Sequence, residues 1–295
     1  MASRLSTYLK LGRVSNLPTV WTNAAAGASL AALTGATDTR STGAVLGLGI
    51  ALSFSYVGGM FLNDAHDRHY DRSARPDRPI PAGEISAAEV FFVGYLLLVA
   101  GVLGAVLSAT LLSGAVLSTL GAALALSGAI IAYDVHHKEN ALAPVVMGLC
   151  RALVYVTAGY AASGAWSREL GLGALALWSY VVGLTYAAKQ EAIGKGRKLW
   201  PFVFLFAPLL YVLPTTFTSL TALASSVGLA ASIGYALWLL RGGETLRVPR
   251  AVALLIAAMC FFDAAMCARA GTPHAAWALA GFPLTLGLQR FVRGT

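Results

Sequence analysis

Apolar runs of about 20 residues, separated by short clusters of charge, recur along the whole of this 295-residue chain. A helix of about 20 residues crosses the hydrocarbon layer of a bilayer. Backbone in lipid has to satisfy its own hydrogen bonds, so runs of this kind fold as helices. The pattern lacks the alternating strands of about 10 residues that a membrane barrel needs. Only 12% of the residues are charged and 57% are apolar, with a mean hydropathy of +0.70. A soluble domain carries about 25% charged residues. These features exclude a soluble fold. They predict an all-α, polytopic membrane helix bundle of nine or ten transmembrane helices around a central chamber, with residues 1–295 forming a single domain.

The expected spans run roughly over 16–34, 44–62, 87–110, 112–132, 142–163, 170–188, 200–218, 221–240, 250–268 and 273–290. Alternate connections differ sharply in charge. One set holds Arg4, Lys10 and Arg13, then Arg68, Arg72, Arg75 and Arg78, then Lys138, then Lys189, Lys195, Arg197 and Lys198, then Arg241, Arg247 and Arg250; the other holds only Arg40, Arg168 and Arg269. Positive residues favour the cytoplasmic side. The N-terminus and a long loop expected over 63–86 are therefore placed in the cytoplasm of an inner or plasma membrane protein. Ten spans return Arg290 and Arg293 to that side, and nine do not. The net charge of +8 follows from this arrangement and from anionic headgroups, with no nucleic-acid partner implied and no obligate protein partner evident. Met1 to Gly12 is short and polar, without the apolar core of a cleavable signal. Cys150, Cys260 and Cys267 all lie within apolar runs and are read as small core residues.

The segment Asn63-Asp64-Ala65-His66-Asp67-Arg68-His69-Tyr70-Asp71-Arg72 follows directly on an apolar run. If helix continues through it, Asn63, Asp67 and Asp71 stand at i, i+4 and i+8, with Asp64 one position round, and all four share a face. Crowded carboxylates repel one another unless a cation lies among them. Hard oxygen donors of this kind suit Mg²⁺, which bridges to substrate phosphates. The alternative is a solvated segment in which Arg68 and Arg72 neutralise the aspartates. Asn63, Asp64, Asp67 and Asp71 are the candidate metal ligands. Next comes Arg75-Pro76-Asp77-Arg78-Pro79-Ile80-Pro81-Ala82-Gly83. Its prolines cannot occupy a helix interior, so they form a stiff loop that holds Arg75 and Arg78 near the carboxylates. Arginine matches phosphate oxygens as a fork.

The pattern Asn63-Asp64-x-x-Asp67-x-x-x-Asp71, followed by Arg75-Pro-x-Arg78-Pro-x-Pro81-x-Gly83, resembles the first signature of the UbiA superfamily of intramembrane prenyltransferases. Arg13-x-x-Asn16 is similar to the start of that family's first helix, and the resemblance implies that Arg13 approaches a diphosphate. Tyr133-Asp134-Val135-His136-His137-Lys138, with Cys150-Arg151 beyond it, resembles the EboC-like branch. The family's Tyr-x-x-x-Lys pair is displaced here by one residue, to Tyr133 and Lys138. A second Asp-x-x-x-Asp motif, expected after the sixth span, is missing. Residues 185–198 carry one carboxylate, Glu191, among Lys189, Lys195, Arg197 and Lys198. Either these cations bind diphosphate directly, or the site holds a prenyl lipid without ionising it, or the loop is simply positive and cytoplasmic.

Two charges lie inside spans, Arg151 and Asp263. Each is costly in lipid and is expected to face the bundle interior. Arg151 is either a further diphosphate ligand or a structural partner of a carboxylate, and Asp263 either orients an acceptor or pairs with an arginine. His66 and His69 are read as neighbours in a solvated helix end in preference to a transition-metal pair.

The resemblance implies a magnesium-dependent prenyltransferase. The allylic C–O bond of a prenyl diphosphate would ionise and a lipophilic or aromatic acceptor would attack, with Asp64, Asp67 and Asp71 central to the chemistry. Substrate would be bound by Asn63, Arg13, Asn16, Arg75, Arg78, Tyr133, Lys138, Arg151, Lys189 and Glu191. Tyr133, Tyr155 and Tyr186 are candidates to face the developing cation. The competing expectation is a non-catalytic prenyl-lipid-binding or transport-accessory protein of the same fold.

Overall fold

The computed structural model describes residues 3–33, 42–112, 116–138, 140–193, 200–241 and 247–292, with backbone alone for residues 42 and 190–193. Arg40, Lys195, Arg197, Lys198 and Arg293 lie outside the described residues, as does the side chain of Glu191. Among the described residues the fold is entirely helical. The helices in order are α1 (Arg4–Leu11), α2 (Leu17–Ala32), α3 (Thr42–Ala74), α4 (Ala87–Leu112), α5 (Val116–His136), α6 (Ala143–Ser163), α7 (Arg168–Ile193), α8 (Ala207–Val212), α9 (Leu220–Arg241), α10 (Arg247–Arg269) and α11 (His274–Leu288). Short 3-10 turns flank α8. Seven helices are long and apolar enough to cross a membrane, and the 200–215 and 274–288 segments are shorter apolar helices. The chain is thus an integral, multi-pass membrane protein. Large apolar side chains such as Leu107, Leu117, Leu210 and Phe217 stand exposed on its outer faces, as lipid contact requires.

The largest departure from the sequence reading concerns α3. Its apolar run ends near Leu62, but the helix runs on to Ala74, so the loop expected from residue 63 begins at residue 75. No glycine or proline falls between Phe61 and Ala74. The helix stops where Arg75 precedes Pro76, because a residue before proline is disfavoured in helical conformation. Residues 75–86 then form tight turns, with Gly83 at φ +74.

Close helix crossings fix the site-bearing elements against one another. A Cβ on Gly58 of α3 would lie 2.8 Å from the carbonyl oxygen of Gly94 on α4. A Cβ on Gly27 of α2 would lie 2.5 Å from the carbonyl oxygen of Tyr155 on α6. Small residues let membrane helices approach at backbone distance. The first crossing seats α3 directly below its acidic turns, and the second brings polar residues of α2 against α6. Helix α1 clips onto the start of α4: Arg4 pairs with Glu89 at 2.9 Å, and the Tyr8 hydroxyl donates to Glu89 at 2.6 Å. Thr7 donates to Glu84 at 2.8 Å.

Candidate active site

The continued helix brings Asn63, Asp64, Asp67 and Asp71 together over its last turns, and all four are buried, at 7%, 7%, 6% and 1% exposure. Arg68 and Arg72, their sequence neighbours, do not neutralise them. Adjacent positions on a helix point in different directions. Arg68 donates to the Ala65 carbonyl and lies over Phe91, while Arg72 is exposed.

The neutralising cations come from three other elements. Arg13 reaches Asp64 Oδ1 at 3.1 Å and donates to Asn63 Oδ1 at 3.4 Å. It does so from a turn between α1 and α2 with φ 43, the only non-glycine positive φ among the described residues. A left-handed residue of this kind costs about 1–2 kcal/mol, and here its ion pair offsets that cost. Burial is the largest single influence and works against the Arg13 charge, but Asp64, Tyr56, Tyr133 and Asp134 together outweigh it, and the guanidinium pKa stands above its ordinary value. Arg78, from the proline-stiffened turn, bridges Asp64 at 3.2 Å and Asp71 at 2.7 Å. Just past the C-terminus of α5, Lys138 Nζ lies 2.8 Å from Asp67 Oδ2 and His137 Nε2 lies 3.3 Å from Asp67 Oδ1. Lys138 also sits over the Tyr70 ring, and Tyr133 stacks on His137.

Arg75 is not part of this assembly. It is exposed and forms no ion pair with the aspartates among the described residues; its backbone N–H bonds the Asp71 carbonyl, so its task is to shape the turn. Lys189, at the end of α7, donates to the Asn140 carbonyl at 2.6 Å. That acceptor lies two residues beyond Lys138, and among the described residues Lys189 forms no ion pair with the aspartates.

Sequence reasoning missed Asp134. This buried residue accepts from Asn63 Nδ2 at 3.1 Å, which leaves Asn63 Oδ1 facing Arg13. Its second oxygen, like Asp71 Oδ1, is buried without a hydrogen-bond partner. The signal was its place directly after Tyr133, on the helix whose end supplies Lys138. His66 packs edge-on against Phe91, and His69 is exposed.

A second polar layer lies deeper, among α2, α3, α6 and α10. Asp263, wholly buried, accepts from Thr22, Tyr155 and both contacts of Asn23 Nδ2, at 3.0 and 2.8 Å. Arg151 donates to Asn23 Oδ1 at 2.9 Å and lies 5.3 Å over Tyr56. Arg151 and Asp263 therefore communicate through an asparagine and do not pair directly. Asn16 donates to the Tyr56 hydroxyl and accepts from Gln289. Tyr155 is spent on Asp263 and stacked on Phe262, and Tyr186 donates to the Ala141 carbonyl. An asparagine in mid-span was the overlooked sign of this layer.

A model of the UbiA prenyltransferase family matches residues 19–287. Digeranylgeranylglyceryl phosphate synthase of Methanoculleus marisnigri is 34% identical over 153 residues, covering 50% of this chain and 52% of that protein. The Methanosarcina mazei protein of the same name is 33% identical over 111 residues, covering 35% and 38%. The matched region thus spans about half, or less, of the length of these curated relatives. A solved structure from work on digeranylgeranylglyceryl phosphate synthase in membranes superposes with a TM-score of 0.60 at 18% identity, over 91% of this chain and 99% of that one. A homolog from Archaeoglobus fulgidus superposes with a TM-score of 0.50 at 18% identity, over 96% and 99%. At such identity the likeness speaks for the fold.

Proposed function

This chain belongs to the UbiA prenyltransferase family, and we propose that it is a magnesium-dependent intramembrane prenyltransferase, moving an isoprenoid group from a prenyl diphosphate to a lipophilic or aromatic acceptor. The observation that carries this reading is the convergence of Arg13, Arg78 and Lys138, from three separate elements, on the aspartates at one helix end. Fixed cations facing a carboxylate cluster form a cradle for a charged leaving group.

The donor set suits magnesium. Asn63, Asp64, Asp67 and Asp71 offer only hard oxygens, and Asp71 Oδ1 is buried with no partner. Among the described residues, no three Asp, Glu, His or Cys side chains already surround one point, because Arg78, Arg13 and Lys138 stand on the carboxylates. When bound, the metal neutralises diphosphate charge in the manner of a Lewis acid. Arg78 and Lys138 hold carboxylates that a cation would satisfy equally, so they are the side chains free to turn to phosphate oxygens. Arg13, fixed by its turn, keeps Asp64 and Asn63 in register. As the allylic C–O bond breaks, the electron pair leaves with the diphosphate, and Arg78 and Lys138 take up the charge that a second aspartate pair with its metal would otherwise stabilise. Tyr133, seated on His137, faces the same cluster as a neighbour for the developing carbocation.

On this reading residues 1–295 act as one domain, with the N-terminus and the 75–86 turn on the cytoplasmic face of the plasma membrane. The test is release of inorganic diphosphate by purified protein from geranylgeranyl or farnesyl diphosphate across an acceptor panel. Magnesium-dependent release, abolished in Asp67→Ala, is expected. Tight binding with no turnover for any acceptor would instead make the chain a prenyl-lipid-binding protein.

A further inference from the structure

Gln289 joins the last helix of the bundle to its first turn. It closes the final turn of α11, with its backbone N–H bonded to the Thr285 carbonyl at 2.9 Å. From there Nε2 donates to Asn16 Oδ1 at 3.0 Å and to the Ala253 carbonyl of α10 at 3.4 Å. Asn16 stands 273 residues earlier, and both residues fall outside the 19–287 stretch that matches the family model. The amide is retained at a cost. Its Oε1 is buried with no hydrogen-bond partner, and a buried acceptor left unsatisfied is destabilising. An apolar side chain would serve this position better if packing were all that it required, so the donor half of the amide is what the position uses.

That donor bears on the turn that aims Arg13. Asn16 is only 3% exposed. Its N–H bonds the Arg13 carbonyl at 3.1 Å and closes the 3-10 turn Val14–Asn16, and its carbonyl accepts from the Thr19 hydroxyl at 2.7 Å. Its Nδ2 donates to the Tyr56 hydroxyl at 3.3 Å. The Asn16 side chain thus ties the turn to α3 on one side and, through Gln289, to α10 and α11 on the other. Arg13 sits at φ 43, a left-handed state that persists only where the surroundings over-determine it. From that state it reaches Asp64 Oδ1 and Asn63 Oδ1. Building on the prenyltransferase reading, we propose that Gln289 is a positioning residue of the diphosphate site. It fixes Asn16, Asn16 closes the turn, and the turn directs Arg13 onto Asp64 and Asn63. Among the described residues Gln289 itself makes no hydrogen bond to the aspartates, so it acts through Arg13 alone.

The experiment measures magnesium-dependent binding of geranyl thiolodiphosphate to the purified protein in neutral detergent by calorimetry, in a double-mutant cycle of Gln289→Met and Arg13→Gln. Methionine keeps the length of the side chain and loses the amide. Gln289→Met should weaken binding about fivefold or more, in keeping with one lost hydrogen bond. Added to Arg13→Gln, it should change affinity by less than about twofold, because the group it acts through is already gone. Hydrogen exchange reads the cause. Backbone amides of residues 11–18 should exchange about threefold or more faster in Gln289→Met, with those of α5 unaltered. The proposal is overturned by wild-type affinity in Gln289→Met, by an equal loss in both backgrounds, or by unaltered exchange over 11–18. If Gln289→Met does not fold, Gln289→Asn, whose amide is one methylene shorter, carries the same comparison. Should the wild-type protein bind no geranyl thiolodiphosphate, the prenyltransferase reading falls, and exchange over 11–18 alone decides whether Gln289 holds the Arg13 turn.

Discussion

Replacing Arg78 by glutamine should make the metal-free protein weaker and its response to magnesium larger. Arg78 bridges Asp64 and Asp71 at 3.2 and 2.7 Å, with side-chain exposures of 16% for the arginine and 10% and 2% for its partners. Each charge-assisted hydrogen bond contributes about 1.5–3 kcal/mol, and removing one member of a buried pair costs about 3–5 kcal/mol because the other charge is left uncompensated. Arg13 still holds Asp64, so the loss falls mainly on Asp71, and about 3 kcal/mol is the expected destabilisation. The freed carboxylates then bind a divalent ion more tightly. A tenfold gain in affinity adds about 1.4 kcal/mol of stabilisation at saturating metal. Intrinsic tryptophan fluorescence during heating, with and without magnesium, measures both effects. The variant should melt several degrees below wild type in chelator and recover part of that difference in magnesium. An unchanged melting temperature in chelator, or a magnesium response no larger than that of wild type, refutes the claim that Arg78 stands in for a metal.

Asp64→Asn and Asp71→Asn should each weaken magnesium-dependent binding of geranyl thiolodiphosphate by about tenfold or more, with Glu191→Gln weakening it less; equal and negligible effects in calorimetry would dissolve the site assignment. Asp134→Asn, whose amide oxygen can still accept from Asn63, should keep manganese affinity near wild type in an electron paramagnetic resonance titration. Asp134→Leu frees the Asn63 amide to rotate and should lose about tenfold, and identical curves for the two variants would deny Asp134 a positioning role. Gly27→Ala places a methyl group 2.5 Å from the Tyr155 carbonyl oxygen, so α2 and α6 must part at a cost of about 1–3 kcal/mol. A lowered melting temperature in detergent checks this, and an unaltered one would mean that the two helices do not meet there.

Hydropathy located nearly every helix: the 221–240 run ends where charge begins, at Arg241, and α9 ends there too, while α4 ends at Leu112 just before Ser113-Gly114. It failed at α3 for a physical reason. Hydropathy reports where lipid contact ends, and Asn63 to Ala74 continue as helix in a polar setting with no residue to break them. The four oxygen-bearing side chains were correctly placed on one face once that helix was granted. Arg78 was expected beside them from the proline loop, but the distant partnerships were not legible from spacing, since Arg13 and Asp64 lie 51 residues apart and Asn23 and Asp263 lie 240 apart, and spacing rules reach only a turn or two. Arg75 and Arg78 look equivalent in the sequence, and only the tight turn after Arg75 decides that Arg78 alone reaches the carboxylates.

Helix α3 has 33 residues and so measures about 50 Å, against about 30 Å of hydrocarbon. With the apolar run that ends near Leu62 set in the hydrocarbon, the acidic end would stand at headgroup level and Tyr56 and Gly58 among acyl chains. An amphiphile arriving from the same leaflet already has its polar head and its tail at the heights this rod offers. On the prenyltransferase reading proposed above, a prenyl diphosphate would reach the site by sideways diffusion within the membrane plane, keeping its tail in oil and its phosphates in water throughout. The encounter would then be two-dimensional, governed by surface density in the leaflet and insensitive to aqueous solubility.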